Sequence, residues 1–127
     1  MKERVRIGVI GAGAIAQLAH LPVLSKMRGA ELAAICDNDR AKARALADRF
    51  GIRDTLNDIE DLLELPDLDA VVVATPNHLH EPHVLSALAA KVNVLCERPL
   101  ALNARGVERI LAAAQRAGKM VLVANNH

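Results

Sequence analysis

Short apolar runs alternate along the chain with longer segments in which apolar residues recur at helical spacing. The runs fall at Val5–Ile10, Glu31–Cys36, Ile52–Leu56, Ala70–Thr75, Val92–Cys96 and Met120–Ala124, short and rich in β-branched residues as strands are. Between them, Ala14–Met27 carries Ile15, Leu18, Ala19 and Val23 at helical intervals, with Pro22 expected to kink the helix or start a new turn. Asp39–Phe50 is an alanine-rich helix stopped by Gly51, and Asn57 or Asp58 can cap another that runs through Leu65 to Pro66. His80–Ala90 and Asn103–Gly118, the latter with Asn103 as N-cap, complete the helices.

No hairpin turn joins any two of these strands, so each connection must cross over through a helix. Strands this apolar have both faces covered. Right-handed crossovers then give an α/β fold with a doubly wound, six-stranded parallel sheet of the Rossmann type, in order 3-2-1-4-5-6.

Composition narrows the function classes. At 127 residues the chain is one domain's worth, 52% hydrophobic and 24% charged, with 16 basic against 15 acidic side chains. One Phe and neither Tyr nor Trp leave no aromatic platform for nucleic acid, and no basic tract replaces it. No apolar stretch is long enough to span a bilayer, and Met1–Arg4 leads straight into a strand, so a cytoplasmic location without a leader is the default expectation. Cys36 and Cys96 end the second and fifth strands, which that order places about 14 Å apart at ~4.8 Å per strand. A disulfide reaches only to ~7 Å, so both thiols are expected to be free.

Candidate chemistry begins in "GVIGAGAIA", where Gly11, Gly13 and Ala16 form G-x-G-x-x-A between a strand and a helix. Gly11 allows a tight turn, Gly13 lets backbone N–H groups approach a pyrophosphate, and Ala16 keeps the helix close to the sheet. The N-terminus of the helix, at Ala14 and Ile15, adds unpaired donors and partial positive charge. Asp37 ends the second strand about 20 residues further on, where an acidic side chain can accept both hydroxyls of an adenosine ribose and repel a 2′-phosphate. Asp39 can cap the following helix, which spares Asp37 for the ligand. These features point to NAD, with NADP as the alternative because Arg40 and Arg44 could hold a phosphate.

Two further clusters follow later strands. Thr75-Pro76-Asn77 turns the chain at the carboxyl edge of the sheet, where open α/β folds bind ligands. His78, His80 and His83 lie just beyond, but no carboxylate or cysteine cluster completes a metal shell, so no metal is expected. Glu97 and Arg98 set an acid beside a base at the end of the fifth strand, followed by Pro99.

Taken together, "GVIGAGAIAQLAHLPVL", "AAICDNDRAKARALADRFG" and "DAVVVATPNHLHEPHVLSALAAKVNVLCERPLAL" resemble the Gfo/Idh/MocA family over residues 5 to 125. The resemblance implies an NAD(P)-dependent oxidoreductase acting on sugars, inositols or related polyols. It implies that Glu97 contacts the nicotinamide ribose, that the basic residue after it faces the nicotinamide and the substrate hydroxyl, and that Asn125 lies near the nicotinamide. The expected cofactor-binding set is Gly11, Gly13, Ala14, Ile15, Asp37, Asn38, Thr75, Pro76, Asn77, His80, Glu97, Arg98 and Asn125. Arg98 is the one candidate catalytic residue, polarising substrate or nicotinamide. The family usually carries Glu-Lys-Pro at this point, whereas this chain has Glu97-Arg98-Pro99. A desolvated lysine can pass a proton but an arginine stays charged, which puts a lysine-type proton relay in doubt.

By the same resemblance, Asn125–His127 lies where the family's chain crosses into an α+β substrate domain carrying its acid/base histidine. Residues 1–127 are then a dinucleotide-binding domain without that substrate domain, expected to bind cofactor but to be catalytically incomplete alone. The alternative is a non-enzymatic dinucleotide-sensing or assembly module, since the fold hosts many functions. Either reading leaves room for self-association through exposed apolar surface. Neither calls for a nucleic-acid or membrane partner.

Overall fold

The structure is a computed structural model that describes residues 4–13, 16 and 20–124. Among the described residues six strands and five α-helices alternate: β1 (Val5–Ile10), α1 (Leu21–Lys26), β2 (Ala30–Cys36), α2 (Arg40–Phe50), β3 (Asp54–Leu56), α3 (Ile59–Leu63), β4 (Ala70–Val73), α4 (His80–Ala89), β5 (Asn93–Glu97), α5 (Ala104–Ala117) and β6 (Val121–Ala124). All the strand pairs are parallel, and the sheet runs β3-β2-β1-β4-β5-β6, the order the alternation predicts.

Local sequence explains the helix ends. The Asp39 side chain accepts the Lys42 N–H at the start of α2, and Asn103 accepts the Gly106 N–H at the start of α5, each supplying one of the acceptors a helix N-terminus lacks. Gly51 and Gly118 close those two helices in the left-handed conformation. Pro22 lies in the first turn of α1; the preceding part of the expected helix from Ala14 falls largely outside the described residues. The α3 helix is shorter than its apolar pattern suggests. Asp58 occupies its N-cap position without a side-chain cap bond, and Asn57 instead donates to the Asp37 carbonyl at 3.1 Å.

Alternation along the central strands sorts the core into two layers. Val71, Val73, Val94 and Cys96 pack on one side with Leu62, Val84, Leu88 and Ile110 from α3, α4 and α5. Val9, Ile35 and Val72 pack on the other with Leu21, Leu46 and Ala47 from α1 and α2. Each fully buried aliphatic side chain contributes roughly 1.5–3 kcal/mol relative to exposure, and the two layers clamp the sheet from both faces. Both cysteines are buried and free, as the strand spacing requires.

Candidate functional site

Register places the strand tips in one row. Cys36 pairs with Leu56, Ile10 with both Cys36 and Val73, and Val73 with Cys96. One step beyond lie Asn57, Asp37, Gly11, Ala74 and Glu97, and Glu97 pairs with Ala124. The Gly11 N–H donates to the Cys36 carbonyl at 2.8 Å, the Asp37 N–H to Leu56 at 3.0 Å, and the Ala74 N–H to Ile10 at 2.8 Å. Gly11, Asp37 and Glu97, three residues expected at the site, therefore share the carboxyl rim. The neighbours of β1 on that rim are β2 and β4, the point where strand order reverses and a crevice opens.

Gly11 takes φ +104°, and a Cβ there would sit 2.6 Å from the Ala74 carbonyl oxygen. The tight turn thus brings β1 against the tip of β4 and admits no side chain. An added Cβ at Gly13 would meet nothing within 4 Å among the described residues, so its missing side chain leaves an open approach to the turn's backbone. Ala16 is fully buried, in the close-packing role expected of it. Ala14 and Ile15 lie outside the described residues.

The Asp37 carboxylate spans the rim. One oxygen accepts the Ala12 N–H at 2.8 Å and the other the Asp39 N–H at 2.8 Å. Each carboxylate oxygen has further acceptor capacity, so these bonds orient the group while leaving it able to take hydroxyl donors. Asp39 caps α2 in its stead. The tie from Asp37 to Ala12 is not readable from spacing, because it depends on which way the glycine turn faces.

Two clefts adjoin along this rim. The larger, about 550 Å³, runs from Gly11–Gly13 past Asp37, Asn38 and Asp39 to Ile59 and Glu60, and is closed by Thr75, Pro76, Leu79 and His83. Its charged lining is mostly acidic, with Asp37, Asp39, Asp58 and Glu60 against Lys42. The smaller, about 310 Å³, is lined by Ala74, Thr75, Asn77, His80, Glu97, Arg98 and Ala124. Ala74 and Thr75 border both, so the expected residues of β2, β4 and β5 fall around one continuous groove. Asn125 lies outside the described residues, directly after β6.

Four histidines lie among the described residues. His20 Nε2 is hydrogen-bonded to Glu97 Oε1, with both side chains largely buried. His20 immediately precedes α1, and sequence reasoning did not single it out; the contact joins positions 77 residues apart. His83 Nδ1 lies 3.0 Å from Thr75 Oγ1, and burial, helped by nearby His80 and opposed by Glu60, holds His83 below its ordinary pKa. His80 is 1% exposed; its Nδ1 lies 2.6 Å from the Pro99 carbonyl oxygen and its Nε2 2.7 Å from that of Thr75. Both ring nitrogens thus face backbone carbonyl oxygens, which accept from whichever nitrogen carries a hydrogen. His78 is exposed on the 3₁₀ turn Asn77–Leu79. Among the described residues no group of three or more His, Cys, Asp or Glu could hold a metal ion.

Arg98 is exposed beside Glu97 at the mouth of the smaller cleft, and its bond to Pro99 is cis. No described helix is long and apolar enough to cross a membrane.

Comparison with known proteins agrees with this geometry. The Gfo/Idh/MocA family model, an oxidoreductase family with an NAD-binding Rossmann fold, matches residues 5–125. An inositol 2-dehydrogenase of Acidothermus cellulolyticus is 43% identical over 115 residues, covering 91% of this chain and 34% of that protein. The D-glucoside 3-dehydrogenase of Escherichia coli is 32% identical over 123 residues, covering 97% and 35%. Among solved structures, the 3-ketoreductase KijD10 of Actinomadura kijaniata in complex with NADP and TDP-benzene superposes with a TM-score of 0.90 at 34% identity, covering 94% of this chain and 37% of that one. The chain spans about a third of the length of the relatives it matches.

Proposed function

The chain belongs to the Gfo/Idh/MocA oxidoreductase family, and from that premise we propose that it binds NAD across the rim of its sheet as the cofactor half of a polyol-type dehydrogenase. In this reading the adenosine end lies in the larger cleft and the nicotinamide end in the smaller. The substrate is a sugar, an inositol or a related polyol, and residues of a substrate domain beyond this one complete the reaction. The observation that carries the proposal is the row one step past the last register pairs, which holds Gly11, Asp37, Ala74 and Glu97, with an open backbone approach at Gly13.

Nicotinamide, when bound, supplies the acceptor and donor of hydride at a carbinol carbon. The chain's own residues bind and orient. The pyrophosphate lies over the open side of the glycine turn at Gly13, since the Gly11 and Ala12 N–H groups are bonded within the fold, and Asp37, already aligned by Ala12 and Asp39, accepts the ribose hydroxyls. The acidic lining of the larger cleft works against a 2′-phosphate, which favours NAD over NADP. Glu97, held by His20, faces the nicotinamide ribose. Arg98 keeps its charge and polarises a substrate or nicotinamide oxygen without relaying a proton.

Titration with NADH tests the proposal. The chain has no Trp or Tyr, so cofactor fluorescence is read against a dark protein. Saturable binding is expected, and Asp37→Ala should weaken NAD by about tenfold or more, the size of a lost charge-assisted hydrogen bond, while NADP loses less. Absence of saturable binding by the wild-type chain would overturn the reading.

A further inference from the structure

The register between β4 and β5 ends at Val73 and Cys96. Beyond it the β4–β5 pairing stops, and the smaller cleft is lined there by Ala74 and Thr75 after β4 and by Glu97 and Arg98 at the end of β5. Past the last register pair something else must hold these tips at a fixed separation.

His80 stands at that place. It opens α4, and with Glu97 it is one of two buried polar or charged side chains among the described residues. Its ring lies between the Thr75 carbonyl, two residues past β4, and the Pro99 carbonyl, two residues past β5, at 2.7 and 2.6 Å. Burying an imidazole is costly unless its nitrogens find partners; here both facing atoms are backbone carbonyl oxygens of the cleft's opposite walls, so the ring bonds both when each nitrogen carries its hydrogen. A histidine that only filled core space would not need to join two segments 24 residues apart in sequence (Thr75 and Pro99). Nor do its ring nitrogens remain for a ligand.

We propose that His80 is a positioning residue: a buried crosspiece that sets the width of the nicotinamide-end cleft by tying the strand tips that carry Thr75 and Glu97-Arg98-Pro99. This rests on the cofactor reading above and adds a division of labour to it. Thr75 borders both clefts, but the larger is built mainly on Gly11–Gly13 and Asp37, to which His80 makes no hydrogen bond, so the crosspiece bears chiefly on the nicotinamide half of a dinucleotide.

That division supplies the test. NADH and ADP are titrated separately into the wild-type chain and into His80→Leu and His80→Gln. Leu fills much of the volume with no polar atom, whereas Gln keeps an N–H donor for one of the two carbonyls. For His80→Leu, NADH binding should weaken by about tenfold or more, a size set by one or two lost hydrogen bonds, with ADP binding held within about twofold of wild type. His80→Gln should fall between, a partial rescue that a loss of stability alone would not sort by ligand. Equal weakening of NADH and ADP, or no change in either, overturns the crosspiece. If His80→Leu does not fold, His80→Gln carries the same comparison alone. A wild-type chain that binds neither ligand defeats the cofactor reading itself, whereas wild-type binding with variants indifferent to His80 defeats only this inference.

Discussion

Gly11 and Gly13 sit two residues apart in one turn, yet the structure asks different things of them. At Gly11 the backbone is left-handed and a side chain would strike the Ala74 carbonyl. At Gly13 an added Cβ reaches open space among the described residues. Gly11→Ala is therefore a folding lesion: the backbone strain alone costs about 1–3 kcal/mol, and the overlap with β4 adds to it. Gly13→Ala is a binding lesion. Its unfolding free energy should stay within about 0.5 kcal/mol of wild type, while NADH affinity falls by about tenfold because the methyl group occupies the pyrophosphate approach. Urea unfolding and NADH titration on both variants separate the two effects. A Gly13→Ala chain that binds NADH like wild type would remove the glycine turn from the site.

At the scale of elements, α4 links the core to the rim, because its first turns carry His80 and His83 while Val84 and Leu88 anchor it in the sheet. His83 gives this helix a pH dependence. Burial is the main cause holding it below its ordinary value of 6.5, with His80 adding to the effect and Glu60 opposing it. The unfolded chain then takes up the proton first as the pH falls. This contribution to stability is present above 6.5 and is lost as the pH drops from there to the lowered folded value. Urea midpoints measured between pH 7.5 and 5 should fall more steeply for wild type than for His83→Gln, and parallel profiles would exclude His83 as a source. Much of this level was legible in the sequence. Asp39, Asn103, Gly51 and Gly118 mark helix ends through bonds and dihedrals that involve only near neighbours, and the apolar runs locate all six strands to within two residues at either end. Glu97 is instructive: its charge suggested that the strand ended before it, but pairing with Ala124 keeps it in β5. The α3 helix departs at its other end: Asp58, one of the two expected caps, holds its N-cap position, but the helix stops at Leu63 before Leu65.

For the whole molecule, strand order followed from the alternation of elements, and that order alone brought Gly11, Asp37 and Glu97 to one edge. The ties between distant positions did not follow. His20 with Glu97, Asp37 with Ala12 and His80 with Pro99 each depend on side-chain direction after the sheet has formed, and no sequence spacing encodes that direction. Whether the sheet behaves as one cooperative body is open to measurement through its two thiols. Cys36 lies in β2 and Cys96 in β5, on opposite sides of the β1–β4 pair. Burial is the largest cause pushing each up to about 12, with Asp37 reinforcing it at Cys36 and Glu97 at Cys96. Because the thiolate is the reactive form, neither should be alkylated in the folded chain near neutral pH. Labelling must wait for opening. If the two clamped layers make the sheet a single unit, both cysteines react at a common rate set by global unfolding, and saturating NADH slows both by the same factor because it stabilises the folded state as a whole. Mass spectrometry of iodoacetamide-treated protein reads each site separately. Faster reaction at Cys96 than at Cys36 would mean that β5 and β6 open independently of the rest, and NADH protection confined to Cys36 would mean that the cofactor grips only the β1–β2 half of the rim.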